Sequence, residues 1–163
     1  MKLPDTSYNV VCLGLGSNEG HREMFLRSAV KLIGERVGDI LALSHFIETA
    51  SWGYDSDNKY LNAAVKVQTS LSPFQTLDIT EGIERELGRN VKSTSDSGYS
   101  DRPIDIDILL FGGEIINTPR LIIPHPLMCS REFVMKPLAQ IAPDFIHPIC
   151  GKQIINIFRD MKL

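Results

Sequence analysis

The order of apolar and polar positions predicts strands and helices along the first two thirds of the chain. Residues 8–16 (YNVVCLGLG) are almost all apolar and predict a short strand buried on both faces. Residues 21–37 follow a helical period. Residues 38–49 predict a second strand, and residues 60–69 alternate strictly, as expected for a strand with one buried face. The apolar stripe predicted for the helix consists of Leu26, Ala29, Val30, Ile33 and Val37.

The second predicted helix has sequence signals at both ends. Ser72 is a typical N-cap, Pro73 suits the first helical position, and Gln75 completes a capping box. Gly88 stands where a glycine commonly follows the last helical turn. The apolar positions of this helix repeat every fourth residue, at Ile79, Ile83 and Leu87.

The element order predicts the fold class. A polar stretch at 90–101 leads into a strand at 104–111 (IDIDILLF), and a proline-rich region follows, with one short helix within 130–141. The order β-α-β-β-α-β with a C-terminal extension predicts an α+β, ferredoxin-like plait, with two helices on one face of a mainly antiparallel four-stranded sheet. We expect residues 1–163 to form a single domain.

Composition excludes little and supports a cytoplasmic location. The net charge of −3 indicates no nucleic-acid or membrane partner, and nothing in the chain indicates an obligate protein partner. The start, MKLPDTSYN, has no signal-type apolar segment, and no apolar run reaches the ~20 residues of a membrane-spanning helix. The three cysteines have no metal-ligand spacing and are expected to be reduced thiols.

Two aspartates in the last strand are the main candidates for chemistry. Asp105 and Asp107 share one face of the strand, with their Cα atoms roughly 6.5 Å apart, while Ile104, Ile106 and Ile108 point into the core. Adjacent carboxylates repel unless a cation lies between them, and magnesium prefers such oxygen ligands. The alternative is a solvent-exposed strand face with no metal.

Other candidates are weaker when each is considered alone. Basic residues surround the aspartate strand and would suit a polyphosphate if they converge, although most arginines are ordinary surface residues. GLGSN (14–18) lacks the full phosphate-loop pattern, so its glycines are interpreted as allowing a tight strand-to-helix turn. Tyr60 and Asn62 share the polar face of their strand and would suit a flat heterocycle, or are simply exposed. The basic candidates are Arg89, Arg102, Arg120, His125 and Arg131.

Several motifs together resemble one enzyme family, 6-hydroxymethyl-7,8-dihydropterin pyrophosphokinase of folate biosynthesis. The resemblance extends from about residue 9 to residue 148. Its most specific part is R-x-(I/L)-D-(I/L)-D-(I/L), followed by a PH dipeptide and a further R-x-F. The matching segments are GSN (16–18), ET…WG…YLNAAV (48–65), IERELGR (83–89), DRPIDIDILLF (101–111) and RLIIPHPLMCSREFV (120–134).

The resemblance implies an activity and a set of site residues. The enzyme would transfer pyrophosphate from ATP to the hydroxymethyl group of the pterin and release AMP, with two Mg²⁺ ions held by Asp105 and Asp107. Arg89 and Arg102 would join these aspartates as catalytic residues. ATP would be bound by Glu84, Arg89, Tyr99, Arg102, Ile108, Arg120, His125 and Arg131. The pterin would be bound by Thr49, Ala50, Trp52, Tyr60, Asn62, Asp107 and Phe133, and the loops 50–59 and 90–101 would close over the substrates.

The chain departs from the family pattern at three places, and two other functions stay open. Ala50-Ser51 replaces two prolines that the family often has, Tyr99 stands where a tryptophan often lies, and Pro126 replaces a tyrosine. From the residues alone, a two-metal nucleotidyltransferase that releases pyrophosphate is a second hypothesis. A non-catalytic nucleotide-binding module is a third.

Overall fold

The structure, a computed structural model, describes residues 8–49, 59–88 and 103–161. In these ranges a five-stranded antiparallel sheet carries helices on both of its faces. The elements are β1 (Asn9–Ser17), α1 (Arg22–Arg36), β2 (Asp39–Leu43), β3 (Ile47–Thr49), β4 (Tyr60–Thr69), α2 (Pro73–Gly88), β5 (Asp105–Phe111), β6 (Ile116–Asn117), β7 (Ile122–Ile123), a 3-10 helix (Met128–Ser130), α3 (Glu132–Ile141) and α4 (Ile154–Met161).

The sheet confirms the predicted α+β, ferredoxin-like class. Its strands lie in the order β2-β4-β1-β5, with β3 also paired to β4. Every pairing in it is antiparallel. The outer two-residue strands β6 and β7 form a separate small hairpin. Because consecutive β-α-β units place α1 and α2 on the same face, that face is fully covered.

The first core lies between the sheet and helices α1 and α2. The predicted stripe of α1 faces it, with Leu26 and Ile33 fully buried. Alternate residues of β4 and β5 point into it as predicted, including Val65 and Ile106. Ile83 of α2 is also fully buried there, and its predicted neighbours Ile79 and Leu87 pack at the edge. The capping box is confirmed, because Ser72 and Gln75 exchange hydrogen bonds of 2.8 and 3.1 Å.

A second core lies on the opposite face of the sheet, under α3 and α4. It contains Cys12 of β1, Ala64 of β4 and Leu110 of β5, packed against Leu138 and Ile154. Burial in this core raises the pKa of the Cys12 thiol to about 12, so the thiol stays protonated at neutral pH. The short helix predicted within 130–141 is confirmed as α3. The eight-residue helix α4 was not predicted.

The predicted strand over 38–49 is in fact two strands, β2 and β3, and the physical reason lies at Ser44. The buried Ser44 donates its backbone N–H to the Ala64 carbonyl at 3.0 Å. Its Oγ accepts the Ala64 N–H at 2.8 Å. A side-chain oxygen thus takes the place of a backbone acceptor, and the regular ladder is interrupted there. In the described ranges, no helix is long and apolar enough to cross a membrane.

Candidate active site

The two aspartates of β5 lie on the face of the sheet that carries the second core, beyond the end of that core. Asp105 is half-buried and Asp107 is exposed. The flanking residues Ile104, Ile106 and Ile108 are each about 95% buried in the first core, with exposures of 4, 6 and 5%. The alternation predicted from IDIDILLF is therefore confirmed, and it presents both carboxylates on one accessible surface.

Two glycines of β1 lie beside the aspartates, with Leu109 packed over Gly14 and with Asn62 and Tyr60 close to Gly16. Gly14 pairs with Asp107, and Gly16 pairs with Asp105. On its other side Gly16 pairs with Asn62 of β4. A row across three strands therefore reads Asn62, Gly16, Asp105, with no side chain at its centre. Since neighbouring strands are about 4.8 Å apart, the backbones of β4 and β5 are roughly 10 Å apart at this row. The surface between them over Gly16, which is itself buried, is here called the trough.

The interpretation of GLGSN as a turn was wrong for Gly14 and Gly16. Both lie inside β1 and not at its end. A Cβ atom at Gly16 would stand 3.2 Å from the Asn62 Oδ1 atom and 3.4 Å from the Tyr60 ring. The turn is made instead by Gly20, which has a φ of 69°. The strand continues through both glycines because their backbone fits the regular hydrogen-bond ladder. The absence of a side chain at each glycine lets neighbouring groups approach the strand closely.

Asn62 is held in one orientation by the short strand β3. It is 5% exposed. Its Nδ2 donates to the Thr49 Oγ1 at 2.9 Å and to the Ile47 carbonyl at 3.4 Å. Because both partners accept, the NH₂ group must face β3, and the Oδ1 atom is directed over Gly16. The site therefore offers a fixed hydrogen-bond acceptor beside the Tyr60 ring.

Helix α2 borders the open edge of β5 with three acidic residues, Asp78, Glu81 and Glu84, here called the acidic stripe. The Glu84 Oε2 atom accepts the Ile106 backbone N–H at 2.7 Å. This bond satisfies an edge-strand donor between the two aspartates. Arg120, at the tip of the β6–β7 hairpin, donates to Asp78 and to Glu81, the latter at 3.0 Å. These hydrogen bonds raise the pKa of Arg120, Asp78 contributing most.

Three predicted site residues follow the β6–β7 hairpin along the chain and lie close together: His125, Arg131 and Phe133. The His125 backbone N–H donates to the Leu109 carbonyl of β5 at 3.0 Å, and its Nδ1 accepts the Leu127 N–H at 3.2 Å. The free proton of the neutral ring is thus on Nε2. Burial, and to a smaller degree Arg131, lowers the pKa of His125. The Arg131 guanidinium stands 5.7 Å from the centre of the Phe133 ring.

Some predicted site residues are not placed at the site by the structure. Ile108 is buried on the opposite face from the aspartates. Because Ile106 directs its N–H outward, Ile108 two residues on directs its backbone groups to the same open edge. Five predicted residues lie outside the described ranges: Ala50, Trp52, Arg89, Tyr99 and Arg102.

The acid pair fits magnesium better than a metal held by protein alone. In residues 8–49, 59–88 and 103–161, no group of three or more His, Cys, Asp or Glu side chains could hold an ion. Two carboxylates on one exposed surface leave most coordination positions to water or to a ligand. Magnesium is commonly bound in this way, through one or two carboxylates and substrate phosphates.

Sequence reasoning missed two contributors to the site. The even positions of β1 share the face of Cys12, so alternation alone places Gly14 and Gly16 on one surface. Their position opposite Asp107 and Asp105 needed the strand register. Arg22, at the start of α1, was not considered. It binds the Glu48 carboxylate and the Lys59 carbonyl, each at 2.7 Å, and no local pattern indicated such partners.

The fold and the site together define a class: a ferredoxin-like α+β protein with an acid pair and a fixed amide on the two sides of a strand glycine. Comparison with known sequences gives the family. The sequence profile described as 7,8-dihydro-6-hydroxymethylpterin-pyrophosphokinase (HPPK) matches residues 12–143. The chain belongs to this family, and it is accordingly a pyrophosphokinase, a transferase of folate biosynthesis.

Individual relatives agree with this assignment. A protein of Porphyromonas gingivalis named 2-amino-4-hydroxy-6-hydroxymethyldihydropteridine pyrophosphokinase is 47% identical over 140 residues, which cover 85% of this chain and 94% of the relative. A protein of Bacillus subtilis with the same name is 44% identical, over 82% of this chain and 78% of its own length. The family predicted from the sequence motifs is therefore confirmed.

Solved structures agree on the fold. An HPPK-DHPS in complex with substrates superposes with a TM-score of 0.74 at 18% identity, over 95% of this chain and 44% of that one. A triple mutant of Plasmodium falciparum HPPK-DHPS gives 0.75 at 16% identity, over 96% and 45%. At such identities the likeness shows the fold alone, and this chain spans less than half of each solved chain.

Proposed function

We propose that this chain transfers the pyrophosphoryl group of ATP to the hydroxymethyl oxygen of 6-hydroxymethyl-7,8-dihydropterin and releases AMP. In that reaction the hydroxyl oxygen bonds to the β-phosphorus and loses its proton, while the bond from the β-phosphorus to the oxygen of AMP breaks. The observation that supports the proposal best is the row Asn62, Gly16, Asp105. It brings a fixed hydrogen-bond acceptor and an acid pair suited to magnesium and phosphate to the two sides of one glycine.

The pterin is proposed to lie over Gly16. The Asn62 Oδ1 atom faces this space and would accept a hydrogen bond from the polar edge of the heterocycle. Tyr60 borders the same space, and Phe133 would supply a second aromatic surface. The Thr49 Oγ1 fixes the Asn62 amide at 2.9 Å, so its contribution is to orient the acceptor. Ala50 and Trp52 are proposed to complete this pocket.

ATP is proposed to lie along the open edge of β5. His125, with its proton on Nε2, and Arg131 would donate to phosphate or ribose oxygens. The outward backbone groups of Ile108 suit the adenine edge better than its buried side chain does. Arg120 and Glu84 border the same edge. Arg89, Tyr99 and Arg102 remain proposed ATP ligands, and Arg89 and Arg102 would neutralise charge during transfer.

Asp105 and Asp107 are proposed to hold two magnesium ions that accompany the triphosphate. The chemistry that such ions supply is neutralisation of phosphate charge and a lower pKa for a coordinated hydroxyl. The chain itself mainly positions the two substrates in line, since phosphoryl transfer demands little covalent chemistry from the protein. Asp107, which is exposed on the trough, is proposed to accept the hydroxyl proton.

Product analysis tests this proposal. We expect the protein, incubated with magnesium, ATP labelled at the α- or γ-phosphorus, and the pterin, to give labelled AMP and a γ-labelled pterin diphosphate. Omission of either the pterin or magnesium should abolish AMP formation. Release of inorganic pyrophosphate would instead identify a nucleotidyltransferase, and ATP binding without turnover would identify a non-catalytic module. Single-domain organisation and a cytoplasmic location remain predictions.

A further inference from the structure

One arginine outside the trough holds together the elements that shape its pterin side. Arg22 is the first residue of α1. Its Nη1 donates to the Lys59 carbonyl and its Nη2 to the Glu48 Oε2 atom, both at 2.7 Å. Glu48 lies in the middle of β3, and Lys59 immediately precedes β4. One guanidinium therefore joins α1 to both strands of the β3–β4 pair.

The strand that Arg22 holds is too short to be stable alone. β3 has three residues, which pair as Ile47 with Asn62, Glu48 with Leu61 and Thr49 with Tyr60. Such a short edge pairing is marginal in water without further packing. The charge-assisted hydrogen bonds of an arginine fork are among the stronger polar contacts available to fix it. Hydrogen bonding to Arg22 lowers the pKa of Glu48, so this carboxylate is ionised at neutral pH.

Arg22 acts from the side of the sheet opposite to the trough. Glu48 pairs with Leu61, whose side chain packs against the first core under α1 and α2. Ile47 and Thr49, by strand alternation, point to the other side, where Asn62 donates to both of them. Arg22 thus has no access to a ligand in the trough, but it fixes the strand that orients the Asn62 acceptor.

The position of Arg22 also argues for a task beyond helix stability. A cation in the first turn of a helix opposes the helix macrodipole, which favours an acidic residue there. Arg22 is half-buried, with 30% of its side chain exposed, and is committed to two partners from other elements. Its removal should therefore not weaken α1, and any loss of ligand binding would come from the β3–β4 pair.

We propose that Arg22 is a positioning residue for the pterin: by holding Glu48 and Lys59 it keeps β3 on β4 and so keeps the Asn62 Oδ1 atom directed over Gly16. The proposal rests on the proposed function, because the bound heterocycle is the pterin. The proposal predicts that loss of Arg22 weakens binding of the pterin and does not change binding of ATP. The proposed ATP ligands lie at the opposite edge of the sheet, along β5.

Steady-state kinetics of Arg22→Ala provide the first test. We expect the KM for the pterin to rise about fivefold, while the KM for ATP and kcat change by less than about twofold. Glu48→Ala, which keeps the hydrogen bond from Arg22 to the Lys59 carbonyl, should raise the pterin KM less than Arg22→Ala does, and Glu48→Gln, which keeps an acceptor, less again. The double variant Arg22→Ala/Glu48→Ala should be no worse than Arg22→Ala, since Arg22→Ala alone removes both the Glu48 and the Lys59 contact.

Arg36→Ala is the matched control. Arg36 ends the same helix and forms a comparable exposed ion pair with Glu86 at 3.0 Å. We expect its KM values to stay at the wild-type level. An unchanged pterin KM in Arg22→Ala would overturn the proposal. So would an equal rise in the KM for ATP, or a fall in kcat alone, because either would indicate a general structural or catalytic effect.

A second readout does not depend on turnover. Amide hydrogen exchange at Ile47 and Thr49, whose backbone groups face β4, should accelerate about fivefold in Arg22→Ala and remain unchanged in Arg36→Ala. Direct pterin binding, followed by pterin fluorescence with a non-hydrolysable ATP analogue, should weaken by the same factor as the KM. If the wild-type protein forms no AMP, the proposed function fails. Exchange and binding then still decide whether Arg22 holds β3 for the pterin.

Discussion

At the scale of single residues, the trough depends on the absence of a side chain at Gly16. A methyl group there would stand 3.2 Å from the Asn62 Oδ1 atom and 3.4 Å from the Tyr60 ring. Both distances are tight, and the added carbon would also occupy the surface on which we place the heterocycle. The backbone at Gly16 is ordinary extended strand, so a substitution there would affect space more than conformation.

Gly16→Ala should therefore impair pterin binding while it leaves the fold intact. We expect the KM for the pterin to rise about tenfold and the melting temperature to fall by only a few degrees, as small overpacking effects do. Gly113→Ala is the control, since a Cβ atom at Gly113 meets no atom within 4 Å. A Gly16→Ala protein with an unchanged pterin KM would show that the pterin does not lie over Gly16.

The sequence allowed part of this residue-level description to be predicted. Asp105 and Asp107 could be assigned to one accessible face, because strand alternation is a local rule and Ile104, Ile106 and Ile108 obey it. The role of Gly16 could not be assigned, because it depends on which residues lie opposite in two neighbouring strands. Register between distant strands is set by packing across the whole sheet.

At the scale of elements, helix α2 supports strand β5, which carries the acid pair, from its open edge. Glu84 accepts the Ile106 N–H at 2.7 Å, and so holds the strand at the residue between the two aspartates. Asp78 and Glu81 of the same acidic stripe hold the β6–β7 hairpin through Arg120. An acidic stripe beside a triphosphate would repel it, but these carboxylates are engaged by hydrogen-bond donors. The stripe therefore holds β5 and the β6–β7 hairpin at the edge where we propose that ATP binds.

Variants of Glu84 test this support. Glu84→Ala leaves the Ile106 N–H without its protein acceptor, and we expect turnover to fall about tenfold, in line with loss of a charge-assisted hydrogen bond. Glu84→Gln keeps an acceptor and should retain turnover within about threefold of wild type. Amide exchange at Ile106 should follow the same order. Equal losses in both variants would mean that the charge of Glu84, and not its hydrogen bond, is what matters.

Elements were predicted well where local signals were strong. The capping box at Ser72 and the apolar stripe of α1 gave two helices with the correct buried faces. The division of 38–49 into β2 and β3 was missed, since it depends on the Ser44 Oγ bonding the distant Ala64. Helix α4 was missed because its eight residues are too few for a clear helical period.

At the scale of the whole molecule, one face of the sheet serves two purposes along its length. At one end Cys12, Ala64 and Leu110 pack under α3 and α4. At the other end the same strands carry Gly16, Asn62 and Asp105, which are not among the residues of the second core. The helices of the C-terminal extension thus pack on one end of this face, and Asp107 is exposed at the other end. The sequence predicted helices on one face only, because this extension carries few strong signals.

The acid pair is the centre of this account, and its removal is the most direct test. Asp107→Asn preserves shape at an exposed position, so the folded protein should persist with an unchanged melting temperature. Asp39→Asn, at an exposed position of β2 on the other edge of the sheet, is the control. The measurement is the rate of AMP formation from ATP, magnesium and the pterin. We predict a fall of about two to three orders of magnitude for Asp107→Asn and none for Asp39→Asn. A folded Asp107→Asn protein that forms AMP at the wild-type rate would contradict the account.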